Sequence, residues 1–480
     1  MTDWKLKPSD LKKYPHFDAP ISAAAAEAYV KDPAKVVAHP FYPFIRYIQN
    51  WNKFAKKGAL GKSKERPIRY GARLDAYIFS YYRYLLAQRY ESLLKRYNLA
   101  GNILAYRRIL GADGRGKCNI HFAKDAFDFI ESLGDCYVIC LDISSYFESL
   151  DHLMLKKVWA GLLKEEKLPA DHFAVFKAIT NYAYVDKQEA YERLGYFGNK
   201  RKAKSGKDIS GYLTAYTDMP TQLCSAAKFR SEIAGGGGKK SIIQKNDDAY
   251  GIPQGAPLSD LLANMYLLHF DREVRTWMRK RGGVYFRYSD DILLIGKGGE
   301  KEALALLKKI QALIPKYGAK LAIKDSKSSI HVFRQISGRR TCECVFGKGR
   351  NGLEYLGFRF DGRNVYLRDS TLANLNRKVV YAARRRANSL ATRYANKTAD
   401  EIWDEFGFDQ FVQRFYKVED FDSVRDDVHS WTFWTYAQRA ATIFGSKGRK
   451  IKSQLKGFRD FAEEKARGEV EKAVLRRDRK

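Results

Sequence analysis

Three aspartates in this 480-residue sequence stand where a carboxylate is costly unless something neutralises it. Asp142 ends the run Cys136–Asp142 (CYVICLD), which is too short and too β-rich to be a helix. Asp290 and Asp291 follow Tyr288 and Ser289 at the meeting point of two short β-rich runs between Val284 and Ile295, the pattern of a hairpin. Carboxylates on rigid supports suit a hard divalent cation such as magnesium, which takes carboxylate oxygens together with substrate phosphates. Two such ions about 3.5–4 Å apart clamp the attacking and leaving oxygens of an in-line phosphoryl displacement. Either site alone is ordinary, because aspartates are common in turns. Two adjacent strands of one sheet would bring them together.

The elements around them form an order. A Tyr-rich helical pattern runs from Leu74 to about Tyr97, and an amphipathic one from Leu153 to Lys164. A helix is expected from near Ser259 to about Lys280 and another over Glu302 to Ile314. Strands are expected at Leu321–Ile323, at Ser328–Phe333 and over Glu354–Phe360. Strand, helix, helix, hairpin, helix, strand is the order of a split βαββ sheet with helices on one face. Upstream, residues 1–57 hold six of the twelve prolines and only one helical stretch, Ser22–Val30, so they read as an extension that docks. Residues from about 185 to 248 are polar and Gly-containing and read as loops or a mobile insertion. After about residue 365 the pattern is helical and strongly basic, and no internal repeat is present.

Composition narrows the partner. Eighty-seven Lys and Arg against 55 Asp and Glu leave a net charge of +32, a self-repulsion that a polyanion relieves. The chain is also 14% aromatic with 31 Tyr, and basic grooves with stacking rings suit nucleic acid. An apolar share of 45% argues against global disorder. The six cysteines form no CxxC pair, so neither a zinc site nor a disulfide framework is expected. Apolar runs are strand-length and the N-terminus carries no signal-peptide pattern, so a cytoplasmic protein with reduced thiols and no membrane span is expected.

The motifs now carry a resemblance. Leu141-Asp142-Ile143-Ser144-Ser145-Tyr146-Phe147-Glu148 and the residues to His152 resemble the first catalytic motif of bacterial reverse transcriptases. Gly251-Ile252-Pro253-Gln254-Gly255-Ala256-Pro257-Leu258-Ser259 is similar to their second motif, and Tyr288-Ser289-Asp290-Asp291 to their YxDD turn. Lys327-Ser328 resembles the Lys-containing motif that follows, and Leu356-Gly357-Phe358 the primer grip. These stand in the family's order over residues 136–360.

The resemblance implies an α+β right-hand polymerase fold with fingers, a βαββ palm sheet and an α-helical thumb. It places the fingers at 58–135, the palm at 136–360 with a fingers-type insertion at about 185–248, and a basic thumb with its extension at 361–480. It implies RNA-directed DNA synthesis with two Mg²⁺ held by Asp142, Asp290, Asp291 and the carbonyl of Ile143. Phe147 falls at the family's steric gate against a 2′-hydroxyl, and Gln254 and Gly255 at the incoming nucleotide. Lys64, Arg66 and Arg69 lie where the fingers grip the triphosphate. Lys327, with Lys320 and Lys324 as rivals, would protonate the leaving pyrophosphate as a general acid. Tyr288, Leu356, Gly357, Arg384 and Arg385 would hold primer and template.

Within the family, a ribonuclease H or integrase domain does not fit the remaining length, and the Cys/His cluster of an intron endonuclease and the retron signatures are missing. The Ala105-Tyr106-Arg107 segment, the long insertion and the basic C-terminus resemble stand-alone enzymes of antiphage defence. That implies dNTP substrates, a dedicated noncoding RNA as template and a DNA product; a homo-oligomer around RNA is compatible with the charge. Two other readings compete: an RNA-dependent RNA polymerase, which usually carries a GDD turn and a polar residue in place of Phe147, and a catalytically silent RNA-binding scaffold.

Overall fold

The structure, a computed structural model, describes residues 4–52, 63–201, 208–347, 349, 352–415 and 432–479. Its strands, in chain order, are β1 (Phe44–Asn52), β2 (Ser63–Tyr70), β3 (Cys136–Asp142), β4 (Ala183–Asp186), β5 (Phe197–Arg201), β6 (Asp208–Tyr212) and β7 (Gln244–Lys245). They continue with β8 (Val284–Tyr288), β9 (Asp291–Lys297), β10 (Ser329–Ile336), β11 (Arg339–Gly347), β12 (Leu353–Tyr355), β13 (Phe358–Phe360) and β14 (Val365–Leu367). Helices and sheets are mixed along the chain, as the α+β expectation has it.

The central sheet has the order β11-β10-β3-β9-β8, with antiparallel neighbours throughout. Strand periodicity sorts β3 into two faces. Tyr137, Ile139 and Leu141 enter the main core under the helices Arg73–Arg96, His152–Leu163 and Ser259–Tyr266. Cys136 and Val138 enter a second core, with the helix Asn119–Leu133 and the sheet β12-β13-β14. Leu293 and Ile295 of β9 join that second core. Asp142 and Asp291 share the parity of this second face, at its open end.

Several expected elements hold closely: β3, the β8–β9 hairpin and the helices Arg73–Arg96 and His152–Leu163. Others differ. Leu321–Ile323 is no strand; it makes one bridge, Ile323 to Ile143. Glu354–Phe360 is not one strand but the pair β12–β13, folded at Leu356 and Gly357, both at positive φ. The stretch expected as loops at 185–248 holds β4, the helix Lys187–Leu194 and the β5–β6 hairpin. Its core joins Val185, Tyr191, Leu194 and Ile233 to Phe17 and Ile45, so the stabilising contacts are distant in sequence and leave no local period. The boundary expected at 57 falls between paired strands: β1 and β2 run antiparallel from Ile45↔Tyr70 to Asn52↔Ser63, and β4 and β7 complete that sheet.

Beyond β14, the helix Asp369–Arg393 lays Leu375, Val379, Ala383, Ala387 and Ala391 against Ala462, Ala466, Val470 and Ala473 of the helix Phe458–Asp478. Spacings of three and four residues put these side chains in one narrow stripe on each helix, and the alanines among them let the two approach closely. Phe433 and Trp434 pack into this core, and Trp431 lies outside the described residues. Lys447 ion-pairs with Asp128 and Glu131, at 2.6 and 2.5 Å, and pins this unit to the helix behind the central sheet. All six cysteines are free thiols, and among the described residues no helix is long and apolar enough to cross a membrane.

Candidate active site

The register of β3 against β9 sets Asp142 directly opposite Asp291, which in an antiparallel pair brings the Cβ atoms to about 4.5–5.5 Å. Asp290 sits beside them in a two-residue turn, since Tyr288 pairs with Asp291. Ser289 takes a left-handed φ of 62° to close that turn, and the Ile143 N–H donates to the Asp290 carbonyl at 3.1 Å. The three carboxylates are thus held by backbone pairing. Asp291 is exposed to the cleft, yet surrounding protein, then Asp290 and Asp142, push its carboxyl up to about 7 against the pull of Arg368 and Lys327. Water in the open cleft screens part of that repulsion.

Of the three candidate lysines the structure brings Lys327 to the carboxylates, its Nζ on Asp142 Oδ1, while Lys320 lies over the Tyr250 ring at 4.2 Å. Asp142, Asp291, Lys327, Arg368 and Glu354 line one cavity of about 280 Å³. Phe147, half-buried in a helical turn over Tyr146–Glu148, follows Ser145 at φ 50°. Its carbonyl accepts from the Ile252 N–H at 2.9 Å, so the first and second motifs are zipped together. Gln254 offers its carbonyl to the Arg69 N–H, also at 2.9 Å. Gly255 there has φ 120°, and a Cβ would fall 2.4 Å from the Arg69 carbonyl oxygen, so only glycine fits.

The basic strand β2 divides. Arg69 stacks against Tyr182 and Tyr184, with ring centroids 5.2 and 5.0 Å away. Arg66 lies within electrostatic range of Tyr106. Lys64 belongs to β2, but its side chain is outside what the structure describes. Tyr288 is half-buried near Phe122. The Leu356–Gly357 turn is fixed from both sides: Asn119 Nδ2 donates to the Leu356 carbonyl and the Arg368 N–H to that of Gly357, both at 3.1 Å. Arg384 and Arg385 are not gathered here. They lie well along the helix Asp369–Arg393, about 24 Å beyond Arg368 at 1.5 Å per residue. Arg384 there pairs with Glu469 at 2.7 Å, which leaves Arg385 the freer of the two.

Residues 226–360 match the family model for reverse transcriptase (RNA-dependent DNA polymerase). The match covers the second motif, the YSDD turn, Lys327 and the Leu356 turn, and begins after Asp142. No curated protein matches the chain. Among solved structures, apo telomerase from Candida tropicalis truncated from its C-terminal domain aligns at 12% identity and TM-score 0.39, over 72% of this chain and 60% of that one. Telomerase from Candida albicans with a TWJ fragment of telomeric RNA aligns at 10% identity and TM-score 0.37, over 95% and 65%. The chain thus spans less than two thirds of these telomerase chains.

Three features of the site escaped the motifs. Arg368 draws Asp291 downward while ion-paired with Glu354, and nothing local marks it in the sequence. Tyr106, at φ 60°, donates its hydroxyl to Ser289 Oγ at 3.2 Å; its segment resembles the family but shows no role by itself. Beneath the turn, Arg287 and Asp271 form a fully buried pair at 2.6 Å. Arg287 also donates to the Ser289 carbonyl and to Asn264. Asn264 in turn donates to the Ala105 carbonyl at 2.7 Å.

The donor set fits a hard cation. It consists of carboxylate oxygens whose mutual repulsion a cation would relieve, and at present an ammonium, Lys327, answers Asp142. Among the described residues no three His, Cys, Asp or Glu side chains are gathered closely enough to hold an ion as they stand. Release of Lys327 from Asp142 would free an oxygen for that purpose.

Proposed function

We propose that the chain is an RNA-directed DNA polymerase that copies an RNA template into DNA from dNTPs. The observation that carries this reading is the register that sets Asp142 against Asp291, with Asp290 in the adjoining turn; Asp290 and Asp291 fall within the segment that matches the reverse transcriptase model. Asp142, Asp290, Asp291 and the Ile143 carbonyl would hold two Mg²⁺. Bound there, the ions supply positive charge to the attacking and leaving oxygens of phosphoryl transfer.

The chain's own residues do the rest. Phe147 lies under the sugar of the incoming nucleotide and excludes a 2′-hydroxyl. The Gln254–Gly255 backbone, tied to Arg69, forms the nucleotide's floor, with Arg66 and Lys64 at the triphosphate. Lys327 leaves Asp142 and donates a proton to the departing pyrophosphate. Tyr288 and the Leu356–Gly357 turn support the primer end, and Arg385 and its helix hold the duplex through phosphates. The insertion at 185–248 belongs with the fingers, and residues 361–480 form the thumb. The dedicated template is a noncoding RNA and the setting antiphage defence, which rests on the Ala105-Tyr106-Arg107 segment and the basic C-terminus.

The deciding experiment is primer extension with dNTPs and Mg²⁺. Asp290→Asn keeps the shape and removes the charge, so incorporation should fall roughly a thousandfold. Undiminished synthesis by that variant would overturn the assignment, and a wild type that binds RNA without extending it would favour a scaffold. Phe147→Ala should raise ribonucleotide incorporation roughly tenfold or more; an unchanged sugar preference would remove the gate from Phe147.

A further inference from the structure

A cationic groove lies on the other side of the central sheet from the carboxylates. It is a cavity of about 560 Å³ between the end of the helix Arg73–Arg96, the helix His152–Leu163 and the start of the helix Leu268–Lys280. Its floor is apolar: Val158, Leu162 and Leu268 belong to the main core, and Leu93 packs on it. That core takes the Tyr137, Ile139 and Leu141 face of β3, whereas Asp142 follows the opposite parity.

Four cations line the groove, Arg89, Arg96, Lys157 and Lys164, and no carboxylate does. All four are exposed. Arg89 and Arg96 are seven residues apart on one helix, as are Lys157 and Lys164 at the end of the other, so each pair spans about 10.5 Å along its axis. Between the lysines, Gly161 has nothing within 4 Å of a Cβ position, so the groove is open there. Lys164 itself adopts the left-handed C-cap conformation (φ 65°) that glycine usually takes.

Neighbouring arginines behave differently. Arg83, on the same helix as Arg89, pairs with Asp260 at 3.0 Å, and Arg107 with Glu91 at 2.7 Å. Among the described residues none of the four groove cations is ion-paired with a carboxylate; Arg89 donates to the Leu163 carbonyl at 3.2 Å. Arg272 adds a fifth cation, 4.3 Å over the ring of Tyr97, which also lines the groove. Exposed Leu153, four residues before Lys157, continues the lysine row with an apolar side chain.

We infer that this groove is an anchoring site for the phosphate backbone of a folded RNA, separate from the cleft in which synthesis occurs. The reading rests on the proposed use of RNA and adds a second point of contact to it. Cations without acidic partners gain from a polyanion by releasing its counterions. Backbone contact of this kind positions an RNA without reading its sequence. An RNA held there stays tethered while another part of it passes the carboxylates.

The test uses the full chain, a primerless RNA stem-loop as probe and fluorescence anisotropy across a salt series. The variant Arg89→Gln/Arg96→Gln/Lys157→Gln/Lys164→Gln removes charge from exposed positions, and its thermal melt reports whether it folds. Affinity for the stem-loop should fall tenfold or more. The slope of log affinity against log salt should drop by roughly three, at about 0.7–0.9 per phosphate contact. Extension of a short primer–template confined to the cleft should be unchanged. Unaltered stem-loop affinity and slope, or extension lost in the same proportion as binding, would overturn the inference. Groove-dependent binding of an oligoglutamate probe in preference to the stem-loop would overturn it too, in favour of an acidic protein partner. If the wild type extends nothing, the polymerase reading fails, while the anisotropy series still decides whether the groove holds RNA. If the fourfold variant melts early, Lys157→Gln/Lys164→Gln alone should give about half the slope change.

Discussion

One hairpin holds two ionic clusters with opposite physics. At Arg287 on β8, a fully buried guanidinium meets Asp271, Asn264 and the Ser289 carbonyl, and Tyr285 gives its hydroxyl to the same Asp271 at 2.6 Å. Three and four residues on, Asp290 and Asp291 stand with Asp142 in a cleft, three carboxylates answered by Lys327 and Arg368. The first cluster balances its charges and satisfies its hydrogen bonds within the protein. The second is left short of positive charge, with Asp291 raised to about 7 as the sign of it. Burial with complete pairing marks charge used to hold a turn in place; exposure with incomplete pairing marks charge kept for a ligand.

Exchanging the readouts is the sharpest way to break this contrast. Asp290→Asn, which should abolish synthesis, should leave the melting temperature unchanged or raised, because it relieves like-charge repulsion. Arg287→Leu should do the reverse first: it strands Asp271 in the core and should cost about 3–5 kcal/mol in chemical denaturation. Were Asp290→Asn to destabilise and Arg287→Leu to be silent, the assignment of roles would be inverted.

Asp291 offers a subtler version in the pH dependence of stability. Its carboxyl is raised from 3.8 to about 7 in the folded state, so the native chain keeps a proton that the unfolded chain has released. The unfolded state therefore binds fewer protons between about pH 4 and pH 7, and stability falls as pH rises through that window. Melts in chelator should show this fall in the wild type and a weaker one in Asp291→Asn. Magnesium should restore wild-type stability at pH 7–8; its failure to do so would mean the carboxylates do not share a cation.

The contrast also explains what was legible beforehand. Asp142 at the end of CYVICLD and the Ser289–Asp290 turn are local patterns, so β3 and the β8–β9 hairpin could be bounded to within two residues. Arg287 and Asp271 are sixteen residues apart and meet only because a helix folds back on the hairpin. Arg368 reaches the site from beyond β14, with no signal in its neighbours. β1 escaped notice because the prolines of the first 43 residues suggested an irregular segment, whereas pairing with β2 and β4 orders Phe44–Asn52. Polar sequence at 185–248 was misleading for the same reason: its fold depends on Phe17 and Ile45 from the other end of the chain.

The smallest expected effect tests whether the two clusters communicate. The segment Asn102–Tyr106 runs beside β8, with the Leu104 N–H on the Arg287 carbonyl and the Arg287 N–H on that of Asn102, at 2.9 and 2.8 Å. From there Tyr106 reaches over to Ser289, the left-handed residue that aims Asp290. Tyr106→Phe deletes one hydroxyl and leaves the backbone pairs intact, so the loss should be about 0.5–1.5 kcal/mol, roughly two- to tenfold in rate. Because the bond touches the turn rather than a substrate, the loss should appear in kcat with KM for dNTP unchanged. A rise in KM at constant kcat would move Tyr106 into the nucleotide pocket beside Arg66. No change in either would mean that the backbone pairs alone transmit the rigidity of the buried cluster to the carboxylates.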